Sequence, residues 1–230
     1  MPMRPFLFLA AATLATVALA GAALAQTRPG EAGFAHWALD ELERQADALY
    51  AAGAKRDWSG AKIALDGARA GVDRLRTDEF ESSYADAGGR MEALYTARHR
   101  LDTEVAEADI ALGAQESPTV MRYANQITLT VSEIDAQIDP APAQRVTVLG
   151  YLARELEYAR VARRTTLYTE TVAEIRQLWT RLRPALLARK PPPDLARLQA
   201  AIERLGNGQR EDAEAVKMLE AGARSLRASF

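Results

Sequence analysis

The chain has 230 residues, with 29 basic against 31 acidic side chains and no cysteine. Without cysteine there is no disulfide, c-type haem, iron–sulfur cluster, thiolate zinc site or cysteine nucleophile. A net charge of −2 argues against a nucleic-acid surface, which needs a basic excess on one face.

Residues 1–25 read as a Sec-type signal peptide. Arg4 supplies the positive start, Phe6 to Ala20 is apolar and uncharged, and Ala23-Leu24-Ala25 gives the small-x-small pattern of a cleavage site. Cleavage is expected between Ala25 and Gln26, with the periplasm as destination. A retained anchor is the competing reading, since Phe6 to Ala25 approaches the ~20 apolar residues that span a bilayer. The alanine-rich composition and the cleavage site favour removal. No cysteine at the cut rules out a lipidated N-terminus, and no twin-arginine pair points to export in the unfolded state. No later segment is apolar and long enough to cross a membrane, so the mature chain is expected to carry no transmembrane segment.

Beyond residue 33 the apolar spacing is helical. Phe34, Trp37, Leu42 and Leu49 share a face that stops near Gly53. Asp57 is an N-cap for a helix with Leu65, Ala68, Val72 and Leu75 inward. Thr77 to Asp86 reads as a short helix broken at Gly88-Gly89. A long helix then carries Leu94, Leu101, Val105, Ala108 and Leu112 and ends at Gly113. Ser117-Pro118 is a start signal, a hydroxyl cap followed by proline where no N–H is needed. Met121, Ala124, Ile127, Val131, Ile134 and Ile138 line the helix that follows.

Pro140 and Pro142 break that helix. The next uses Leu149, Leu152, Leu156 and Ala159, and its successor Val172, Ile175, Leu178, Trp179 and Leu182. Pro191-Pro192-Pro193 reads as a stiff linker, with Asp194 capping a helix of Leu195, Leu198, Ile202 and Leu205. Gly206-Asn207-Gly208 turns into a last helix with Val216, Leu219, Ala223 and Leu226 inward. No half-buried strand pattern runs beyond four residues. The expectation is an all-α protein of antiparallel helical hairpins, about eight helices in one or two bundles. It divides into an N-terminal half over 26–138 and a C-terminal half over 143–230. Matching apolar offsets, with Val72-Asp73-Arg74-Leu75-Arg76 echoed at Trp179 to Arg183 and Ala223 to Arg227, are equally a weak internal repeat or the common demand of helix packing.

Candidate chemistry is sparse. His36 has Asp40 and Glu43 one and two turns on, and His99 has Asp102 at i+3, with Glu92 two turns before. Either set offers imidazole and carboxylate ligands for a metal. The competing reading, which weighs more, is ordinary helix surface charge. Glu104, Glu107 and Asp109, with Glu133, Asp135, Glu155 and Glu157 on other helices, lack the Glu-x-x-His motif of di-iron bundles and read as solvated. Met91, Met121 and Met218 lie on three separate helices, without the clustering that a copper site needs. Neither a Gly-x-Ser-x-Gly elbow nor a phosphate-binding glycine loop occurs. No catalytic residue and no cofactor are expected.

Aromatic side chains offer surface for partners instead, Trp37 and Trp58 above all. Trp58 follows the Asp57 cap, where packing beneath a hairpin turn competes with a binding role. Arg154, Arg160, Arg163 and Arg164, interleaved with Glu155 and Glu157, read as a solvated face. Leu129-Thr130-Val131-Ser132-Glu133 resembles a Leu-Thr-x-x-Gln box of small periplasmic helical stress chaperones. Glu133 replaces the Gln and the segment occurs once, so no residue role carries over. The expected function is a non-enzymatic binding or accessory module, an adaptor for a periplasmic or envelope protein partner. The alternative is a metal- or small-ligand-binding bundle for uptake or storage.

Overall fold

The computed structural model describes residues 33–138, 142–188, 195–206 and 212–227. The signal-peptide segment, the Asp139–Ala141 break, the 191–193 proline linker and the Asn207-Gly208 turn lie outside the described residues. Nine helices and no strand occur among the described residues: α1 (Phe34–Lys55), α2 (Trp58–Arg74), α3 (Asp78–Asp86), α4 (Met91–Gly113), α5 (Ser117–Ile138), α6 (Pro142–Val161), α7 (Thr165–Leu187), α8 (Leu195–Arg204) and α9 (Asp212–Arg227). The N-terminal half holds five helices, the short α3 among them. Thr77 caps it by accepting from the Phe80 N–H at 3.3 Å, and Phe80 and Tyr84 bury completely.

Helices α1, α2, α4 and α5 close a four-helix ring, each packing on its two neighbours, with α3 laid against α1. Every inward residue anticipated on α2, α4 and the body of α5 is buried, while Trp37 and Ile138 are partly buried at the margin of the same cluster. A second apolar cluster draws on α6, α7, α8 and α9. Here α6 packs against both α7 and α9, and α8 against α9. The two halves meet along α5 and α6. Across this contact the Asn125 amide donates to the Tyr151 carbonyl, and Arg154 donates to the Thr128 hydroxyl.

Helix ends follow one recipe. Asp57 accepts from the Gly60 N–H at 2.9 Å, as its cap position requires. Four C-termini show the paired backbone bonds of a Schellman turn. Gly88, with φ of 90°, supplies the left-handed residue after α3. After α1, α4 and α6 that residue is Arg56, Gln115 or Arg163, all near +56°. A side chain in this region costs about 1 kcal/mol that glycine avoids. The Ser117 hydroxyl donates to the Gly53 carbonyl at 2.8 Å, tying the start of α5 to the end of α1. Among the described residues no helix is long and apolar enough to cross a membrane.

Candidate functional site

The histidine sets do not assemble. His36 Nδ1 lies 3.1 Å from Asp135 on α5, while Asp40 is exposed on α1 and Glu43 is buried beneath it. His99 is exposed, and Asp102 pairs with Arg76, just past the end of α2. Among the described residues no three His, Asp or Glu side chains are grouped to hold a metal. Trp37 is partly buried, 5.4 Å from Phe34 and covered by the Arg74 guanidinium at 4.9 Å. Trp58 packs partly buried against the N-terminal core, in the first turn of α2. Met121 is core and Met91 packs at its edge.

Two regions carry unusual chemistry. The first is a charged seam between the halves, and Arg154 is its centre. Periodicity places this residue with Arg160, Arg163 and Arg164 on a solvated face, but its side chain is 9% exposed. The reason is tertiary: α9 packs against α6, and Asp47 and Tyr50 of α1 reach across to it. Arg154 Nη1 sits 2.7 Å from Asp47 of α1 and donates to Thr128 of α5 at 3.4 Å. Its Nε lies 3.6 Å from Glu220 of α9, and its guanidinium covers the Tyr50 ring at 5.0 Å. Burial works against the charge, but Asp47 and Glu220 hold the Arg154 pKa above its ordinary value. A cavity of about 50 Å³ lies here, its lining including Glu43, Asp47, Arg154 and Glu220.

On the other side of the α5–α6 pair, two carboxylates read as solvated are half-buried. Glu104 accepts from the Thr130 hydroxyl at 2.9 Å, and its second oxygen is buried without a hydrogen bond. Burial raises its pKa, while Thr130 and Arg100 pull the other way. Glu155 is likewise raised by burial, against the opposing Asn125 amide and Arg122. Asn125 itself is wholly buried, donating to the Tyr151 carbonyl at 3.1 Å. Nothing in a single helix pattern marks these residues, because neighbouring helices decide their burial.

The second region is the outer face of α2 and α4. These two helices form the loosest edge of the ring. Between them runs a groove of about 460 Å³, with Val72, Val105 and Ala106 in its lining. Arg69 and Asp109 pair across it at 3.0 Å, and Arg76 pairs with Asp102. Ile110 stands beside the groove at 68% exposure, and Ile63 of α2 is 71% exposed. Tyr95, also exposed, lies four turns back along α4. The aromatic candidates Trp37 and Trp58 are partly buried, and the large apolar side chains most exposed are chiefly aliphatic. Outward isoleucines within amphipathic helices are the sequence signal for it. The chain matches no protein-family model, no curated protein and no solved structure.

Proposed function

We propose that this chain is a non-enzymatic binding protein of the periplasm, which holds an envelope protein partner along the α2–α4 face. The observation that carries the reading is Ile110, a large aliphatic side chain exposed in the lining of an apolar-floored groove. Large aliphatic side chains facing water on adjoining helices cost solvation energy that a docked surface recovers. The flanking ion pairs give the groove a polar rim around an apolar floor, the usual anatomy of a protein-binding patch. An amphipathic helix with apolar residues at i, i+3 and i+7 fits such a groove. The signal sequence before Gln26 supports the periplasmic assignment, and the N-terminus of the exported protein, read by mass spectrometry, is expected at Gln26.

The alternative of a small-ligand bundle draws on the charged seam cavity. Its volume of about 50 Å³ suits a water or one small ion rather than a metabolite, so the partner reading is preferred. The test is site-specific photocrosslinking in the periplasm of the producing cell. A crosslinker at Ile110 is expected to trap one defined protein, and one at Lys217 on α9 is expected to trap none. The Ile110→Asp protein should lose that partner in pull-down while keeping its helical spectrum. Retention of the partner by this variant would refute the assignment of this face.

A further inference from the structure

Charge divides this chain along its length. Residues 26–138 hold 12 basic against 20 acidic side chains, whereas residues 143–230 hold 16 basic against 10 acidic. The near-neutral total therefore joins an acidic half to a basic one. In the N-terminal half Arg44, Arg69, Arg76, Arg98 and Arg100 each meet a carboxylate. In the C-terminal half Arg154, Arg160 and Arg224 do the same. The arginines in the second half of α7 do not.

Arg176, Arg181 and Arg183 are all exposed, and none has a carboxylate partner among the described residues. Arg176 donates to the Leu205 carbonyl at 2.7 Å, and Arg181 Nε to the Gln177 carbonyl at 3.4 Å. Both acceptors lack a formal charge, so the guanidinium charges stay unmatched. From Arg176 to Lys190 the sequence holds five basic residues and no acidic one. Glu170 and Glu174 lie in the first half of α7. Helix α8 contributes one exposed carboxylate, Glu203, which accepts from the Gln199 amide. Three guanidiniums therefore stand against one carboxylate.

Helix geometry gathers these charges. Arg176, Thr180, Arg183 and Leu187 recur at i, i+4, i+7 and i+11, which is one stripe of a helix, and all four are exposed. Arg181 flanks the stripe. Helix α7 packs principally against α6, which leaves this outer face open. Leu187 is 50% exposed and sits one turn beyond Arg183. An aliphatic side chain set among unpaired arginines suits the boundary of a bilayer. There guanidinium groups grip phosphates in pairs of hydrogen bonds while the apolar group enters beneath them. Carboxylates of an acidic protein would match the charge, but headgroup phosphates over hydrocarbon match the charge and the leucine together.

We propose that the outer face of α7 binds an anionic phospholipid bilayer from one side, with Arg176, Arg181 and Arg183 at the headgroup phosphates and Leu187 at the acyl boundary. The acidic half of the chain is repelled by the same surface, which orients the protein with its C-terminal half foremost. The assignment does not depend on partner docking at α2–α4.

The experiment is co-flotation of the full mature protein with vesicles of phosphatidylglycerol and phosphatidylethanolamine, against vesicles of phosphatidylcholine alone. Flotation with the anionic vesicles only, weakening as salt rises, is expected. Each arginine near an anionic surface contributes about fivefold in affinity, so Arg181→Gln/Arg183→Gln should weaken binding by roughly twenty-fivefold. Leu187→Ser should weaken it by several-fold. Arg44→Gln, which removes one positive charge from the acidic half, should leave it unchanged. These side chains are exposed, so the variants should keep the parent's helical spectrum. Equal flotation with neutral vesicles, none with anionic ones, or affinity unaffected by Arg181→Gln/Arg183→Gln overturns the proposal. Capture by immobilised polyglutamate without flotation on anionic vesicles would overturn it too, and would assign the face to an acidic protein.

Discussion

The two bundles solve one packing problem in different ways. In the N-terminal ring, α1 and α2 meet through Ala38, Ala46, Ala61, Ala64 and Ala68, all buried, and the helices approach closely. Small contact residues shorten the interaxial distance, and apolar packing chiefly closes that edge. In the C-terminal half, α7 and α8 stay further apart and long side chains span the space. The Trp179 indole donates to Gln199, and Arg176 donates to the Leu205 carbonyl at 2.7 Å. Tyr168 of α7, 1% exposed, donates to Asp212 at the start of α9 at 3.0 Å. A core of small residues tolerates helices in direct contact. A core with Trp179 and Tyr168 holds its helices apart and must satisfy the polar ends of those rings.

Arg154 joins the two halves, so its removal is the sharpest way to part them. Breaking a buried ion pair costs about 3–5 kcal/mol, and the 42% exposure of the Asp47 side chain puts Arg154→Ala at the low end, about 3 kcal/mol. Scanning calorimetry is expected to show one transition for the parent and two for the variant. A single, merely lowered transition would mean that apolar contact between α5 and α6 suffices for coupling.

Tyr168→Phe tests the polar closure of the C-terminal half. It leaves the buried Asp212 carboxylate one donor short, at a cost of about 2 kcal/mol in chemical denaturation. An equally small loss from Tyr168→Phe and from a surface control would show that Asp212 finds another donor.

Acidification separates the half-buried carboxylates from the rest. Glu104 and Glu155 have pKa values raised on folding, so the neutral form is the one the fold prefers. Their stabilising contribution is complete below the ordinary carboxylate pKa and fades as pH rises through the raised values. The Glu104→Gln/Glu155→Gln protein should therefore gain stability at pH 7, by a Tm increase of about 2–4 °C, and gain less at pH 5. A gain that does not shrink with acidification would locate the effect in packing rather than charge.

The smallest effect concerns helix ends. Arg56→Gly and Gln115→Gly place the residue that Gly88 already provides after α3 into the same left-handed position. Each should stabilise by up to about 1 kcal/mol, less the entropy that glycine adds to the unfolded chain. Thermal melts of the single variants would read this directly.

Much of the architecture was legible in one dimension. The stripe Leu94, Leu101, Val105, Ala108 and Leu112 identifies the buried face of α4, because a 3.6-residue period admits only one such face. Asp57, Thr77 and Gly88 mark ends because capping is chemistry within one turn. The candidate sites were far less legible. Glu43 was singled out beside His36, yet it belongs to the seam, where α1 meets residues of α6 and α9. Arg154, Glu104 and Glu155 occupy polar positions that any helical wheel assigns to solvent.

The sequence by itself therefore determined the helices, their apolar faces and most of their ends, since each depends on residues a few positions apart. Tertiary structure alone decided that Arg154 is buried, that Glu104 and Glu155 are half-covered, and that α2 and α4 leave a groove. It also decided that the Tyr84 hydroxyl is buried without a partner among the described residues. Burial at the margin of an amphipathic face is set by a neighbouring helix, and that neighbour lies tens of residues away in the chain.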